Sequence, residues 1–220
     1  MLDGMQVAII AGGLATRLGG LTKDQPKSLI RVLGRPFLEY QLESLRRGGV
    51  RDVVLCTGHL GDQIESYFGA GKKFGVNITY SRERQLLGTA GALKNAQPLL
   101  SDQFFTLYGD SYVFMDYRAA MARFSASGAL ALMTVYKNND LYDRSNTAVD
   151  GGLVTKYSKR ERTKDMVYID YGVNLFKKAV LDMVPQDEPC SLEDLHQRLI
   201  ERKELAALEI GERFFEIGSL

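Results

Sequence analysis

The stretch Gln6-Val7-Ala8-Ile9-Ile10-Ala11-Gly12-Gly13 runs from unbroken apolar residues straight into two glycines. Apolar side chains at successive positions do not alternate between core and solvent. They predict a strand over 6–11 that is covered on both faces. Similar runs recur at 52–57, 76–80, 103–108 and 129–136. Between them lie helix-forming stretches at 36–47, 60–68, 89–100 and 117–127, the third with a break near Pro98. Leu38, Leu42 and Leu45 give the first of these one apolar stripe, with Pro36 expected at its N1 position and Gly48-Gly49 beyond its end. Strands alternating with helices predict an α/β fold, its parallel sheet wound in right-handed βαβ units.

The pattern changes after Lys137. Thr147-Ala148-Val149, the turn Asp150-Gly151-Gly152 and Leu153-Val154-Thr155-Lys156-Tyr157 predict a β-hairpin. A strand over 166–176, a helix over 192–202 with Ser191 as its N-cap, and a strand over 205–210 complete the chain. The expected architecture is a Rossmann-like, mostly parallel mixed sheet flanked by helices, with antiparallel elements in the second half. It forms a single domain over 1–220, softly divided into halves 1–136 and 137–220.

Composition narrows the function classes. Lys and Arg number 28 against 27 Asp and Glu, a balance that does not suggest extended nucleic-acid binding. The 2 cysteines, Cys56 and Cys190, make neither a disulfide framework nor a zinc site by themselves. No stretch approaches a membrane span, and no basic n-region or cleavage pattern surrounds the apolar 7–11 run, so the cytoplasm is the expected address. His59 and His196 are expected to be surface or loop residues. No Ser-His-Asp or Cys-His arrangement is readable.

The glycine segment carries the first chemical signal. It follows a strand's carboxyl end, where open α/β sheets bind ligands. Gly12 and Gly13 let successive N–H groups point at an anion. Arg17 adds a five-donor fork suited to phosphate oxygens, and Lys27 adds a point charge. A bare Gly-Gly after a strand is ordinarily just a turn; Arg17 and Pro26-Lys27 in a βα context favour a phosphate site. No Gly-Lys-Ser/Thr closes a Walker A loop, and the G-x-G-x-x-G dinucleotide spacing is absent.

Ala11-Gly12-Gly13-Leu14-Ala15-Thr16-Arg17-Leu18, then Leu21-Thr22-Lys23-Asp24-Gln25-Pro26-Lys27 and Gly34-Arg35-Pro36-Phe37-Leu38-Glu39-Tyr40, resembles the signature of the sugar-1-phosphate nucleotidylyltransferases. The flavour is nearest the mannose-1-phosphate and glycero-manno-heptose-1-phosphate guanylyltransferases, and the resemblance runs over nearly the whole chain. It implies the GT-A-like nucleotidyltransferase fold, with 1–136 as the nucleotide-binding half and 137–220 as the sugar-phosphate half. It further implies a nucleoside triphosphate and a sugar 1-phosphate as substrates, GTP and a mannose- or heptose-type sugar being favoured. Uridylyl, cytidylyl or thymidylyl transfer to another phosphorylated acceptor is the near alternative. A non-catalytic nucleotide-binding regulator is the alternative from another class. A homodimer is compatible with the sequence.

The resemblance also implies roles. Ala11, Gly12, Gly13 and Thr16 cradle the nucleotide with Arg17 and Lys27, while Glu83, Gly88 and Thr89 take its base and ribose. Asp110, after Gly109 at the end of a predicted strand, and Glu216 in Phe214-Phe215-Glu216-Ile217-Gly218 form a Mg²⁺ pair. Tyr112 breaks the Asp-x-Asp of nucleotide-sugar glycosyltransferases. Lys159 holds the sugar phosphate, and Asn146, Asp170, Tyr171 and Gly172 are candidate sugar contacts. By position alone Tyr171 is as readily a core residue. The chain departs from the family at Ala15, where Gly is usual, and at Ser158-Lys159-Arg160, where Glu-Lys-Pro is usual. It departs again at Asp170-Tyr171-Gly172, which replaces Asn-Ala-Gly. Relatives often continue into a terminal helix, so an abbreviated C-terminus is expected.

Overall fold

The computed structural model describes residues 5–13 and 24–217. The elements in chain order are β1 (Gln6–Ile10), β2 (Arg31–Val32), β3 (Arg35–Pro36), α1 (Phe37–Arg47), β4 (Asp52–Thr57), α2 (Gly61–Phe68), β5 (Asn77–Arg82) and α3 (Gly88–Ala96). There follow β6 (Gln103–Tyr108), β7 (Ser111–Tyr112), α4 (Tyr117–Ser127), β8 (Ala131–Lys137), β9 (Thr147–Asp150), β10 (Leu153–Tyr157) and β11 (Tyr168–Lys177). The series closes with α5 (Leu192–Glu201), β12 (Leu205–Glu209) and β13 (Phe215–Glu216).

A 9-stranded sheet runs β5-β4-β1-β6-β11-β8-β12-β10-β9. Its first four strands are parallel. The mixed character enters at β11, which lies antiparallel between β6 and β8. This is the expected α/β class, and β8 ends at Lys137, where the pattern was expected to change. Because β11 sits between β6 and β8, the later half of the chain contributes strands to the middle of the sheet as well as to its edge.

Strand alternation explains why the apolar runs are unbroken. Val7 and Ile9 of β1 face one core layer with Leu38, Leu42 and Phe124 from α1 and α4. Ala8 faces the other, with Leu93 of α3 and Leu195 and Leu199 of α5. Each face is roofed by helices, so neither register of the strand has a solvent side. Both cysteines are buried and unpaired in the second layer. Burial pushes the Cys56 thiol up to about 12, an inert structural thiol rather than a nucleophile.

Several local expectations are corrected. Pro36 is the N-cap of α1 rather than N1, because it also pairs with Arg31 in the β2–β3 ribbon. The third strand begins at Asn77 rather than Val76, and β11 begins at Tyr168 rather than Met166. Beyond α3 the chain tightens into a 3₁₀ turn at Gln97–Leu99, which places the break at Pro98. Ser191 caps α5 through a full capping box with Asp194. No helix among the described residues is long and apolar enough to cross a membrane.

Candidate active site

The carboxyl ends of β1 and β6 lie side by side, Ile10 pairing with Tyr108. The Gly109 amide donates to the Ile10 carbonyl at 2.9 Å and closes that corner of the sheet. A cleft of about 670 Å³ opens beyond it, with Ile10, Tyr108 and Gly109 in its lining. That volume lies in the range of small-molecule sites, roughly 300–1,000 Å³. On its other side β11 pairs with β6 only from Val173 onward, and its register with β8 slips between Asp170 and Asn174. The slip leaves Gly172 out of both ladders and puts Asp170, still paired with Val135, at its edge; both line the cleft.

One end is built around Lys27 and Asp110. Lys27 opens a 3₁₀ turn after Pro26, and its ammonium lies 2.6 Å from the Asp110 carboxylate. That contact uses one of the three donors of an ammonium and leaves two for a phosphate. Ala11 and Gly13 line the same cleft. Arg17 and Thr16, expected at the nucleotide phosphates, lie outside the described residues, as does the rest of 14–23. Asp110 and Glu216 converge through a small two-stranded ribbon. Glu216 of β13 stands opposite Ser111 of β7, and the Ile217 amide donates to the Asp110 carbonyl at 3.0 Å. Both carboxylates line the cleft, and no cluster of three metal-ligating side chains occurs among the described residues. Two hard oxygen donors suit Mg²⁺, which takes its remaining positions from phosphate and water, better than a cation needing a full protein cage.

The other end is built around Lys159 and Asp170. Asp170 is buried and accepts hydrogen bonds from the Gly172 amide at 2.9 Å and the Tyr157 hydroxyl at 3.2 Å. Burial pushes its carboxyl above the usual range, against the pull of Lys159 and of those two bonds. Asn146 lines the cleft and accepts from the Asp170 amide at 3.0 Å, tying the segment before β9 to β11. The Lys159 ammonium stands 5.5 Å from the centre of the Tyr108 ring, and the Lys159 amide donates to Glu193 of α5 at 3.0 Å.

Other expected contacts are corrected. Tyr171 points to the opposite side of β11 from the cleft and is wholly buried. Its hydroxyl accepts from the Phe114 amide at 3.0 Å and donates to the Phe114 carbonyl at 2.9 Å, so it is a core residue rather than a sugar contact. At Gly88 φ is +72°, and a Cβ would stand 2.6 Å from the Cys190 carbonyl oxygen. The close approach that needs glycine is therefore to the backbone before α5, not to a base. Thr89 lines the cleft, but its hydroxyl accepts from the Leu192 amide at 2.7 Å. Glu83 does not line the cleft among the described residues. Its carboxyl packs under the glycine segment, 2.8 Å from where a Cβ on Gly12 would stand, and burial raises its pKa. His59 is exposed as expected. His196 is not: it is fully buried on α5 against Tyr157 and Phe176, its pKa pushed down to about 3 by burial and by Lys159.

Three residues at the site carry no functional expectation from sequence: Tyr157, which holds Asp170, and Arg144 and Arg160, which line the cleft. A signal for the arginines existed, since both flank the predicted hairpin at its open end.

The model of the family described as nucleotidyl transferase matches residues 6–214. The chain is 31% identical to a UTP–glucose-1-phosphate uridylyltransferase of Synechocystis sp., over 90% of this chain and 55% of that protein. It is thus little more than half that relative's length. It is 29% identical to a D-glycero-alpha-D-manno-heptose 1-phosphate guanylyltransferase of Campylobacter jejuni, over 97% of this chain and 95% of that one. Its fold matches HddC from Yersinia pseudotuberculosis complexed with GMP-PN, with a TM-score of 0.82 and 25% identity, covering 97% of this chain and 94% of that one.

Proposed function

The chain belongs to the nucleotidyl transferase family, and on that basis we propose that it moves a nucleoside monophosphate from a triphosphate onto a sugar 1-phosphate, releasing pyrophosphate. The observation that carries the reading is a single cleft with Lys27 and Asp110 at one end and Lys159 and Asp170 at the other. In the reaction a sugar-phosphate oxygen attacks the α-phosphorus and forms the new P–O bond. The bond from that phosphorus to the β-phosphate oxygen breaks, and pyrophosphate leaves with its electron pair. The nucleophile is already an anion, so no general base is required. The obstacle is repulsion between two polyanions, and the protein lowers it by positioning and by charge.

Lys27 binds the α-phosphate with its two remaining donors, and Lys159 holds the acceptor phosphate. Arg17 is assigned to the departing β- and γ-phosphates. Asp110 and Glu216 are the residues that hold Mg²⁺, which supplies charge neutralisation at phosphate oxygens. Asp170 is the sugar-facing acceptor at the floor, held in place by Tyr157 and Gly172.

GTP is the favoured donor and a mannose- or heptose-type 1-phosphate the favoured acceptor. Support comes from the heptose 1-phosphate guanylyltransferase, which matches along 95% of its own length, and from the likeness to HddC complexed with GMP-PN. Pyrophosphate release from each common triphosphate, paired with mannose-, heptose-, glucose- and N-acetylhexosamine 1-phosphates, tests both levels. Release with GTP and a manno-configured acceptor is expected. Release only from another pairing overturns the substrate assignment, and release from none overturns the reaction.

A further inference from the structure

At the open end of the β9–β10 hairpin the chain enters through 143–146 and leaves through 158–162, and these arms are joined where the Ser158 amide donates to the Asn146 carbonyl at 3.0 Å. Arg144, Lys159, Arg160 and Arg162 from the two arms all line the cleft. They are not equally committed. Arg162 pairs with Asp140, and Lys159 stands over Tyr108 and draws on Asp170. Arg160 lies near Asp194. The Arg144 side chain forms no ion pair with any described residue.

The loop that presents Arg144 is built rather than loose. Asn138 and Ser145 are buried in it, 1% and 2% exposed. Asn138 donates to the Asp143 carbonyl at 2.6 Å and to the Ser145 hydroxyl at 3.1 Å. The Ser145 amide donates to Asp140 at 2.8 Å, and Ser145 Oγ in turn accepts from the Asp140 amide at 3.1 Å. The backbone passes through the left-handed region at Asn139 and Asp140, φ +47° and +60°, without a glycine. Such conformations persist where the surroundings over-determine them, and they cluster at ligand clamps. The Arg162–Asp140 pair fastens this loop to the arm that carries Lys159, while Arg213 stacks 4.0 Å from the centre of the Tyr142 ring on its other side. Asp143, the acidic neighbour that also lines the cleft, takes the Arg144 amide at 2.7 Å. Glu161 remains as an opposing charge on the second arm.

We propose that Arg144 is the second cation on the acceptor phosphate, gripping it together with Lys159. The inference rests on the proposed transfer reaction. A phosphate dianion brought beside the carboxylate of Asp170 needs more than one ammonium, and a guanidinium offers the forked donors that match two phosphate oxygens. A fixed loop delivers that fork with little ordering cost on binding.

The test is steady-state pyrophosphate release by wild type, Arg144→Ala and Arg144→Lys, with Arg118→Ala of the exposed face of α4 as the control. Calorimetric binding of mannose 1-phosphate and of inorganic phosphate to the same proteins, without triphosphate, gives a second readout. Arg144→Ala is expected to raise the acceptor KM about ten- to a hundred-fold, the worth of a hydrogen-bonded charge. The triphosphate KM should move less than about two-fold by the same reasoning, since the lost contact is confined to the acceptor. Arg144→Lys should restore part of the loss, because it returns the charge without the fork. An unchanged acceptor KM in Arg144→Ala overturns the assignment while the transfer reaction stands. Pyrophosphate release from no pairing, with mannose 1-phosphate still bound and weakened by Arg144→Ala, overturns the reaction and leaves the anion site. Binding equal in wild type and Arg144→Ala overturns the site whatever the turnover.

Discussion

Lys27 and Asp110 illustrate how one contact serves two ends at the residue scale. The 2.6 Å pair holds each side chain at the rim of the sheet, so removing either one strips charge from the cleft and leaves the other misplaced. Lys27→Met and Asp110→Asn are each expected to cut turnover about a hundred- to a thousand-fold, the usual cost of losing an electrostatic contact to the reacting group. Circular dichroism should show little change, since both groups are partly exposed. Turnover near wild type in either variant would remove the residue from the mechanism. Chelation with EDTA is expected to abolish pyrophosphate release without shifting the melting curve, and restoring Mg²⁺ should return it. Lys27 was legible because a charge shortly after a glycine turn at a strand's carboxyl end suits a phosphate. Asp110 and Lys159 drew their roles from the resemblance, since an Asp after a Gly is as readily a turn cap and a lysine after a hairpin as readily a solvated charge. Asp170 was legible only by resemblance, and Tyr157 as its holder was not, because hydrogen bonding across strands leaves no mark in local sequence.

At the scale of elements, the junction of α3 and α5 is built from backbone. The Ala90 and Gly91 amides both donate to the Cys190 carbonyl, at 3.0 and 3.1 Å, and the Cys190 amide donates to the Leu87 carbonyl at 2.8 Å. Gly88→Ala must place a methyl against that carbonyl in a left-handed backbone. It is expected to lower stability by about 1–3 kcal/mol, the cost of a forced backbone conformation, measurable as a fall in the urea midpoint. Helix α5 also carries His196, whose ring nitrogens have no hydrogen-bond partner among the described residues. Burial depresses its pKa from the ordinary 6.5 to about 3, so between those values the unfolded chain binds the proton and the folded one does not. Stability must therefore fall as pH drops from 6.5 toward 3, and the full contribution is present only above 6.5. His196→Phe is expected to flatten the pH dependence of the urea midpoint across that window. An equally steep dependence would show that carboxylates, not His196, set the acid limit. Helix boundaries were mostly legible to within a residue or two. Pro36 was misplaced because its pairing with Arg31 lies outside what helix-start rules can register.

For the whole molecule, the decisive feature is β11 lodged between β6 and β8. The strand carries Asp170 to the cleft and Tyr171 to the core, and it joins the two halves of the chain through one hydrogen-bonded sheet. The molecule should then unfold as one unit. Far-ultraviolet dichroism and the near-ultraviolet signal of its 11 tyrosines are expected to trace a single coincident transition. Two separated transitions would mean that the halves fold independently. The amino-acid sequence by itself determined the α/β class, the strand–helix alternation, the glycine turn at the carboxyl end of β1 and the change of pattern after Lys137. These rest on hydrophobic period, glycine and charge, which act within a few residues of one another. Only the tertiary structure decided that Glu216 and Asp110 line one cleft, that Gly88 serves Cys190, that Tyr171 turns away from the cleft and that Arg144 lines it. Each of those depends on strand order and register, which bring distant segments together through backbone hydrogen bonds that every residue makes alike.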